Sequence, residues 1–363
     1  MKKILVCFLL GILSVYSQEK LQIKGNIKGI PNDAKLTLSS GKEEKEFTIK
    51  DGVFGVEMEL AKVPTSVFLY VEGEAFFKYT SFYVGNEKIR LEGSVDDFGG
   101  GIKALGSQYD RLRYENYMLT KKPHQQLEKI EEEMEEALKK GSTKEDIAAN
   151  YQEKYESIER EIAQKEYEFI RRNINTDYGR YLIRFNTTSF SSEQLKVLLD
   201  GVAPEYRNTV EIKYLQTLVD TKQLKVGEQY YDFEAIDLKG KSMKFGDYFK
   251  GKYVLLDFSN IGCHFCSKAA PKTAALAEEL NDRLMYVTYH TGDSLEDAQK
   301  YYELKGNKGN VIWNKEGDLH SAMAMYRCMV TPTYLLFSPT GKFLGEVEGM
   351  KDNCKEIILE MIK

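Results

Sequence analysis

At 363 residues, with 42% hydrophobic residues and a net charge of −5, the chain is long enough for two or three globular domains with ordinary cores. Its charges are spread along the sequence and form no basic block, which excludes a nucleic-acid-binding protein of the usual electrostatic kind. Beyond the N-terminus, no segment is apolar enough to read as a membrane span.

The first residues have the parts of a secretory signal: the charged Met1-Lys2-Lys3, the apolar run Ile4 to Val15, and Val15-Tyr16-Ser17 as a cleavage site. Cleavage after Ser17 is expected, with an uncleaved anchor as the alternative. Cys7 would be lost with the signal. The remaining chain would be soluble and extracytoplasmic, where disulfides persist.

Residues 18–105 alternate as strands do. Leu21-Ile23, Leu36-Leu38, Phe47-Ile49, Phe54-Val56, Val67-Leu69-Val71 and Ile89-Leu91 place apolar residues two apart. Turns fall at Pro31-Asn32-Asp33, Lys50-Asp51-Gly52 and Val84-Gly85-Asn86. The pattern predicts a small antiparallel, sandwich-like β-domain, with its Tyr and Phe residues in the core and a binding face as the alternative.

Residues 106–225 read as a helical middle region. Leu127, Ile130, Met134 and Leu138 form one apolar stripe, Gly141 ends that helix, and Ser142-Thr143-Lys144-Glu145 has the spacing of a capping box for the next. The acidic run Glu131-Glu132-Glu133 reads as a solvated helix face; the same arm offers a surface for a homodimer.

From residue 226 to 363 apolar runs alternate with helical stretches, the pattern of an α/β module. The runs are Tyr253–Phe258, Leu284–Tyr289 and Tyr334–Phe337, with a final helix after Lys351. The four cysteines that survive signal removal, Cys263, Cys266, Cys328 and Cys354, all lie in this module.

Cys263-His264-Phe265-Cys266 carries the chemistry. Residues three apart share a helix face, so the two sulfurs can close a disulfide. A cysteine that opens a helix has unpaired backbone N–H groups and the helix dipole to stabilise its thiolate. A structural zinc site needs four ligands. There is no second CxxC, His264 lies inside the loop, and His290 and His320 fall outside any ligand-like spacing. No metal or other cofactor is expected.

A strand before the CxxC and a helix after it form the context of a thioredoxin-type motif, and here the chain resembles the thioredoxin superfamily. The resemblance rests on Asp257, six residues before the first cysteine, Pro271, five after the second, the Thr331-Pro332-Thr333 segment, and Tyr326. Residues Val226 to Phe233, Leu238-Lys239-Gly240-Lys241 and Phe249-Lys250-Gly251-Lys252 are similar to the lead-in of TlpA/ResA-like envelope reductases. Residues 19 to about 105 resemble the β-domain that often precedes such modules in Gram-negative envelopes. The chain departs from the family at Ser259-Asn260-Ile261-Gly262, where a Trp usually precedes the first cysteine, and in its His-Phe dipeptide.

The resemblance implies a periplasmic thiol–disulfide oxidoreductase of protein-disulfide reductase type. Its partners would be disulfide-containing envelope proteins, with electrons from a membrane thiol donor. Cys263 is the expected nucleophile and Cys266 the resolving thiol. Asp257 is the candidate proton acceptor for Cys266, or else a satisfied structural acid. Pro332 is expected to be cis, holding Thr331 where substrate backbone can pair with it. His264 either lowers the Cys263 pKa or is simply solvated. Cys328 and Cys354 are read as buried thiols, a second disulfide, or a redox relay. The competing readings are an oxidising exchange protein, favoured by the histidine, a peroxiredoxin, disfavoured by Asn260 where that chemistry needs a threonine, and an envelope binding protein with a regulatory dithiol.

Overall fold

The computed structural model describes residues 20–41, 43–73, 76–290, 294–304, 309–314, 322–328, 330–349 and 353–362. The expected signal, with Cys7, and His320 lie outside the described residues. The chain divides into two compact units, one ending at Glu166 and the other running from Tyr167.

In the first unit, two four-stranded sheets enclose one apolar core. The strands are β1 (Leu21–Lys28), β2 (Lys35–Ser40), β3 (Glu43–Phe47), β4 (Val53–Met58), β5 (Thr65–Gly73), β6 (Phe76–Val84), β7 (Lys88–Ser94) and β8 (Lys103–Leu105). They are ordered β4-β1-β7-β8 and β3-β2-β5-β6. Strict alternation of buried and exposed residues along β4 and most of β1 gives each sheet one inward face. Leu21, Ile23, Leu36, Leu38, Val67, Leu69, Phe82 and Leu91 fill the space between them. Most strand pairs are antiparallel as expected, but β1 and β7 run parallel.

The aromatic residues do not all join that core. Thr80, Phe82 and Val84 of β6 point inward, so parity turns Phe77 and Tyr79 outward, where they are 64% and 49% exposed. Tyr70 of β5 lies 6.2 Å from the Phe77 ring and 6.0 Å from Tyr79, centroid to centroid.

Helix α1 (Asp110–Lys139) is tied to the sheets at its first turn. Buried Arg113 donates to both carboxylate oxygens of Asp110 and to the carbonyls of Gly100 and Ile102. Asp110 also accepts from the backbone N–H groups of Tyr83 at 3.1 Å and Ala104 at 2.8 Å. Helix α2 (Lys144–Asn173) follows; Ile130 packs with Ile158 and Ile162, with Leu127 and Met134 at the margin. Leu138, expected in the stripe, is 48% exposed. The capping box forms one residue later than its spacing suggests. Thr143, not Ser142, accepts from the Asp146 N–H, and Asp146 accepts from the Thr143 N–H in return. Adjacent Ser and Thr are both competent caps, so composition alone leaves the register open.

The second unit begins with the end of α2 and the helices α3 (Asp177–Asn186), α4 (Ser192–Asp200) and α5 (Val210–Asp220). There follow β9 (Glu234–Asp237), β10 (Ser242–Lys244), β11 (Tyr253–Ser259), α6 (His264–Glu279), β12 (Leu284–His290), α7 (Leu295–Leu304), β13 (Asn310–Trp313), α8 (Ala322–Met325), β14 (Thr333–Phe337), β15 (Phe343–Glu348) and α9 (Cys354–Met361). The strands form one sheet of order β10-β9-β13-β12-β11-β14-β15. The three central strands β11, β12 and β13 are parallel, and β14 and β15 complete the sheet antiparallel.

Both faces of this sheet are buried, which explains the nearly unbroken apolar run of β11. Val254, Leu256 and Phe258 face one cluster with Phe233, Phe245, Tyr326 and Cys328. Leu255 faces the other, with Ala269 and Leu276 of α6, Tyr286 of β12, Tyr334 of β14 and Ile358 of α9; Cys354 packs against this second cluster. The second disulfide considered for Cys328 and Cys354 is therefore not formed, because the sheet separates them. Sequence spacing could not show this, since it does not tell which sheet face a distant helix covers.

Arg113→Ala would leave the Asp110 carboxylate buried without its cation. The expected loss of unfolding free energy is about 3–5 kcal/mol, read by denaturant unfolding of the full chain; a loss below about 1 kcal/mol would remove the clamp from the account.

Candidate functional site

The C-terminal end of β11 delivers the chain to α6, and Cys263 is the N-cap of that helix. The two sulfurs are joined, with Cα atoms 5.2 Å apart. Cys263 Sγ accepts a hydrogen bond from the Cys266 backbone N–H at 2.9 Å. Once the bond is reduced, the same N–H and the helix N-terminus favour a thiolate at Cys263. Cys263 is half-buried and reachable, whereas Cys266 is 4% exposed. The geometry therefore makes Cys263 the sulfur that an incoming thiolate or disulfide meets first.

The second wall is the loop before β14. The Thr331–Pro332 peptide is cis, and it brings the Thr331 carbonyl oxygen to 3.3 Å from Cys263 Sγ. Asn260 Nδ2 donates to Thr331 Oγ1 at 3.2 Å, joining the loop before the CxxC to the proline loop. The Pro332 carbonyl accepts from Gly349 N–H at 2.8 Å. An extended peptide can pair with backbone presented in this way. Phe265, in the first turn of α6, and Val330, in the loop before β14, are 56% and 49% exposed and offer apolar contact.

Asp257 lies on β11 with its side chain on the α6 face of the sheet. It is 5% exposed. Burial pushes its carboxyl up to about 7, while a hydrogen bond from Tyr286 pulls in the opposite direction. Tyr286 Oη donates to Asp257 Oδ2; Asp257 Oδ1 is buried with no hydrogen-bond partner. In the oxidised protein the carboxyl is thus not bonded to Cys266, and one oxygen is left open. It is not a fully satisfied structural acid.

The remaining sequence candidates separate clearly. His264 is exposed, its ring 5.8 Å from that of Phe265. Pro271 sits inside α6. Tyr326, just after α8, is buried against the lead-in, donating to the Tyr231 carbonyl at 2.7 Å and accepting from its N–H at 3.0 Å. Burial pushes the Cys328 thiol far up, so it stays protonated and unreactive; a relay through it is not supported. Linear spacing does not mark Asn260, Thr273 or Tyr286 as site residues: Asn260 reads as a departure from the family loop, and Tyr286 as one aromatic in a buried strand. Their roles depend on contacts across elements that no local spacing encodes.

Residues 226–343 match the AhpC/TSA family. No curated protein matches the sequence. Among solved structures, the thioredoxin domain of a thiol-disulfide oxidoreductase from Bacteroides vulgatus is 27% identical. That match covers 39% of this chain and 99% of that one, with a TM-score of 0.35. A thiol:disulfide interchange protein from Bacteroides sp. is 28% identical over 38% of this chain and 91% of its own, TM-score 0.35. An exposed lipoprotein thioredoxin from Streptococcus pneumoniae is 27% identical over 36% of this chain and 98% of its own, TM-score 0.31. The strand order, the CxxC at the helix start, the cis-proline loop and the family match make this module thioredoxin-like.

The raised Asp257 pKa carries a signed prediction. Between its ordinary value of 3.8 and about 7, the folded state holds a proton that the unfolded state has released, so stability falls as pH rises through this window. Asp257→Asn removes the penalty. It is expected to stabilise the oxidised protein at pH 8 by on the order of 2–4 kcal/mol and to do little at pH 4, measured by denaturant unfolding at both pH values. Equal effects at the two pH values would contradict the buried ionisation.

Proposed function

We propose that this thiol–disulfide oxidoreductase of the thioredoxin superfamily reduces protein disulfides outside the cytoplasm through Cys263 and Cys266. The observation that supports it best is the disulfide at the α6 N-terminus with its reachable sulfur 3.3 Å from the Thr331 carbonyl. A nucleophile, a buried resolving thiol and a backbone edge for substrate thus meet at one point.

In the reduced enzyme the Cys263 thiolate attacks a substrate disulfide. One substrate sulfur leaves with an electron pair, and the other stays bonded to Cys263. Cys266 then gives its proton to Asp257 and attacks Cys263, forming the intramolecular disulfide and releasing the second substrate thiolate. Two electrons pass from dithiol to substrate. A membrane thiol donor restores them from the other side of the cycle. The substrates are disulfide-containing envelope proteins whose extended segments pair at Thr331 and whose apolar residues meet Phe265 and Val330. The N-terminal signal-like segment and the disulfide chemistry support an extracytoplasmic, periplasmic site of action.

The family match also admits peroxide chemistry, but the position that would align a peroxide holds Asn260, whose amide is engaged with Thr331.

Insulin disulfide reduction with a small-thiol donor tests the reading. The wild type is expected to be active and Cys263→Ser to fall to the uncatalysed rate. Direction is read from the redox potential of the pair: about −270 mV supports a reductase, and about −120 mV would turn the protein into an oxidant.

A further inference from the structure

The proton acceptor proposed above is held in place by side chains outside the motif. Tyr286 stands opposite Leu255 in the parallel β11–β12 pair, two residues before Asp257 on β11, so its side chain shares the sheet face of the carboxyl. Its phenol has one proton and gives it to Asp257 Oδ2. The same phenol oxygen lies 3.3 Å from Thr273 Oγ1. Thr273 is itself fixed to α6, with its hydroxyl 3.3 Å from the Ala269 carbonyl and 3.1 Å from that of Ala270. With the phenol proton given to Asp257, the link uses the Thr273 proton, which the hydroxyl shares between these carbonyls and the phenol oxygen; the helix that carries the dithiol and the acid are then joined through one phenol.

The surroundings leave Tyr286 as the group able to tune this acid. The titratable groups around Asp257 are Tyr286 from β12 and Tyr334 from β14, directly opposite Asp257 in the antiparallel pairing. Tyr334 is kept neutral by burial and by the carboxylate itself; Cys354 on α9 acts on Tyr334. Helix α6 contributes Thr273 and, at its start, the dithiol. Among the described residues, none of these is a cation, and the hydrogen bond from Tyr286 is what favours the ionised carboxylate against burial.

We propose that Tyr286, braced by Thr273, is a positioning residue for thiol–disulfide exchange: it occupies one oxygen of Asp257 and leaves the other, Oδ1, to take the proton of Cys266. The inference rests on the exchange reading given above. In the step concerned, the Cys266 S–H bond breaks and its proton goes to Oδ1. The freed sulfur electron pair forms the bond to Cys263 Sγ, and the bond from Cys263 to the substrate sulfur breaks, with its pair leaving on that sulfur. Losing the phenol proton disfavours the carboxylate, so the base is protonated at higher pH and the resolving step is slowed on the acid side.

Tyr286→Phe tests this in the full chain. The titration of Asp257 is followed by its infrared carboxyl band, identified by its loss in Asp257→Asn. In parallel, resolution is timed by release of a small thiol preloaded on Cys263. The expected result is an upward shift of the titration by about one pH unit. The acid limb of the resolution rate should move with it, giving about tenfold slower release at pH 6 and little change above pH 9. An unmoved titration, or a moved titration with an unmoved rate limb, would overturn the proposal, as would slowing that is the same at every pH, the mark of a purely structural role. Thr273→Val, which removes the brace and keeps the phenol, should shift both readouts the same way by less; no shift in either would count against the brace. If the wild type releases no thiol from Cys263 at any pH, the exchange reading fails. The infrared titration still decides whether Tyr286 sets the acid.

Discussion

The N–H of Cys266 points at the sulfur of Cys263, and the candidate site is arranged around this one contact. It exists because Cys263 caps α6 instead of lying within it. The cap also favours one state of the reduced pair: when the dithiol is open, the outer sulfur is the one stabilised as a thiolate, and the inner one is buried beneath it. The sheet serves this arrangement. Strand β11 sets where α6 begins, and β14, antiparallel beside it, returns the cis-proline loop to the same edge.

Burial of Asp257 costs stability, and the fold does not remove that cost. A carboxyl covered by Leu255, Tyr286 and Tyr334 with one oxygen unpartnered is worse for folding than an apolar residue of similar size. The proton-acceptor role proposed for it is what such a cost would support, because a carboxyl pushed up to about 7 can take and return a proton near neutral pH. The first unit shows the opposite treatment of a buried acid. Asp110 is surrounded by Arg113 and two backbone N–H groups, and it works as a fastening for α1.

Linear spacing made much of the site readable. Cys263, Cys266 and Asp257 are within ten residues, and strand-loop-helix order places them without any tertiary knowledge. Thr331-Pro332 is far along the chain and was located through the family resemblance, because nothing local marks that proline as facing the cysteines. Periodicity identified the β-domain but not which parity faces inward, which is why Phe77 and Tyr79 turned out exposed. The pairing of Cys328 with Cys354 failed for a related reason: the two lie against opposite faces of one sheet, and that relation emerges only once the strands are ordered. Tyr286 was invisible because a phenol inside an apolar strand looks like core until the acid beside it is placed.

The account stands on Cys263 as the sulfur that exchanges with other proteins. Expressing the full chain with Cys266→Ser in the cell envelope and isolating it under thiol-blocking conditions tests this most directly. The account predicts disulfide-linked adducts with envelope proteins, released by reductant and absent when Cys263 is also changed to Ser. Adducts that persist without Cys263, or no adducts at all, would contradict it.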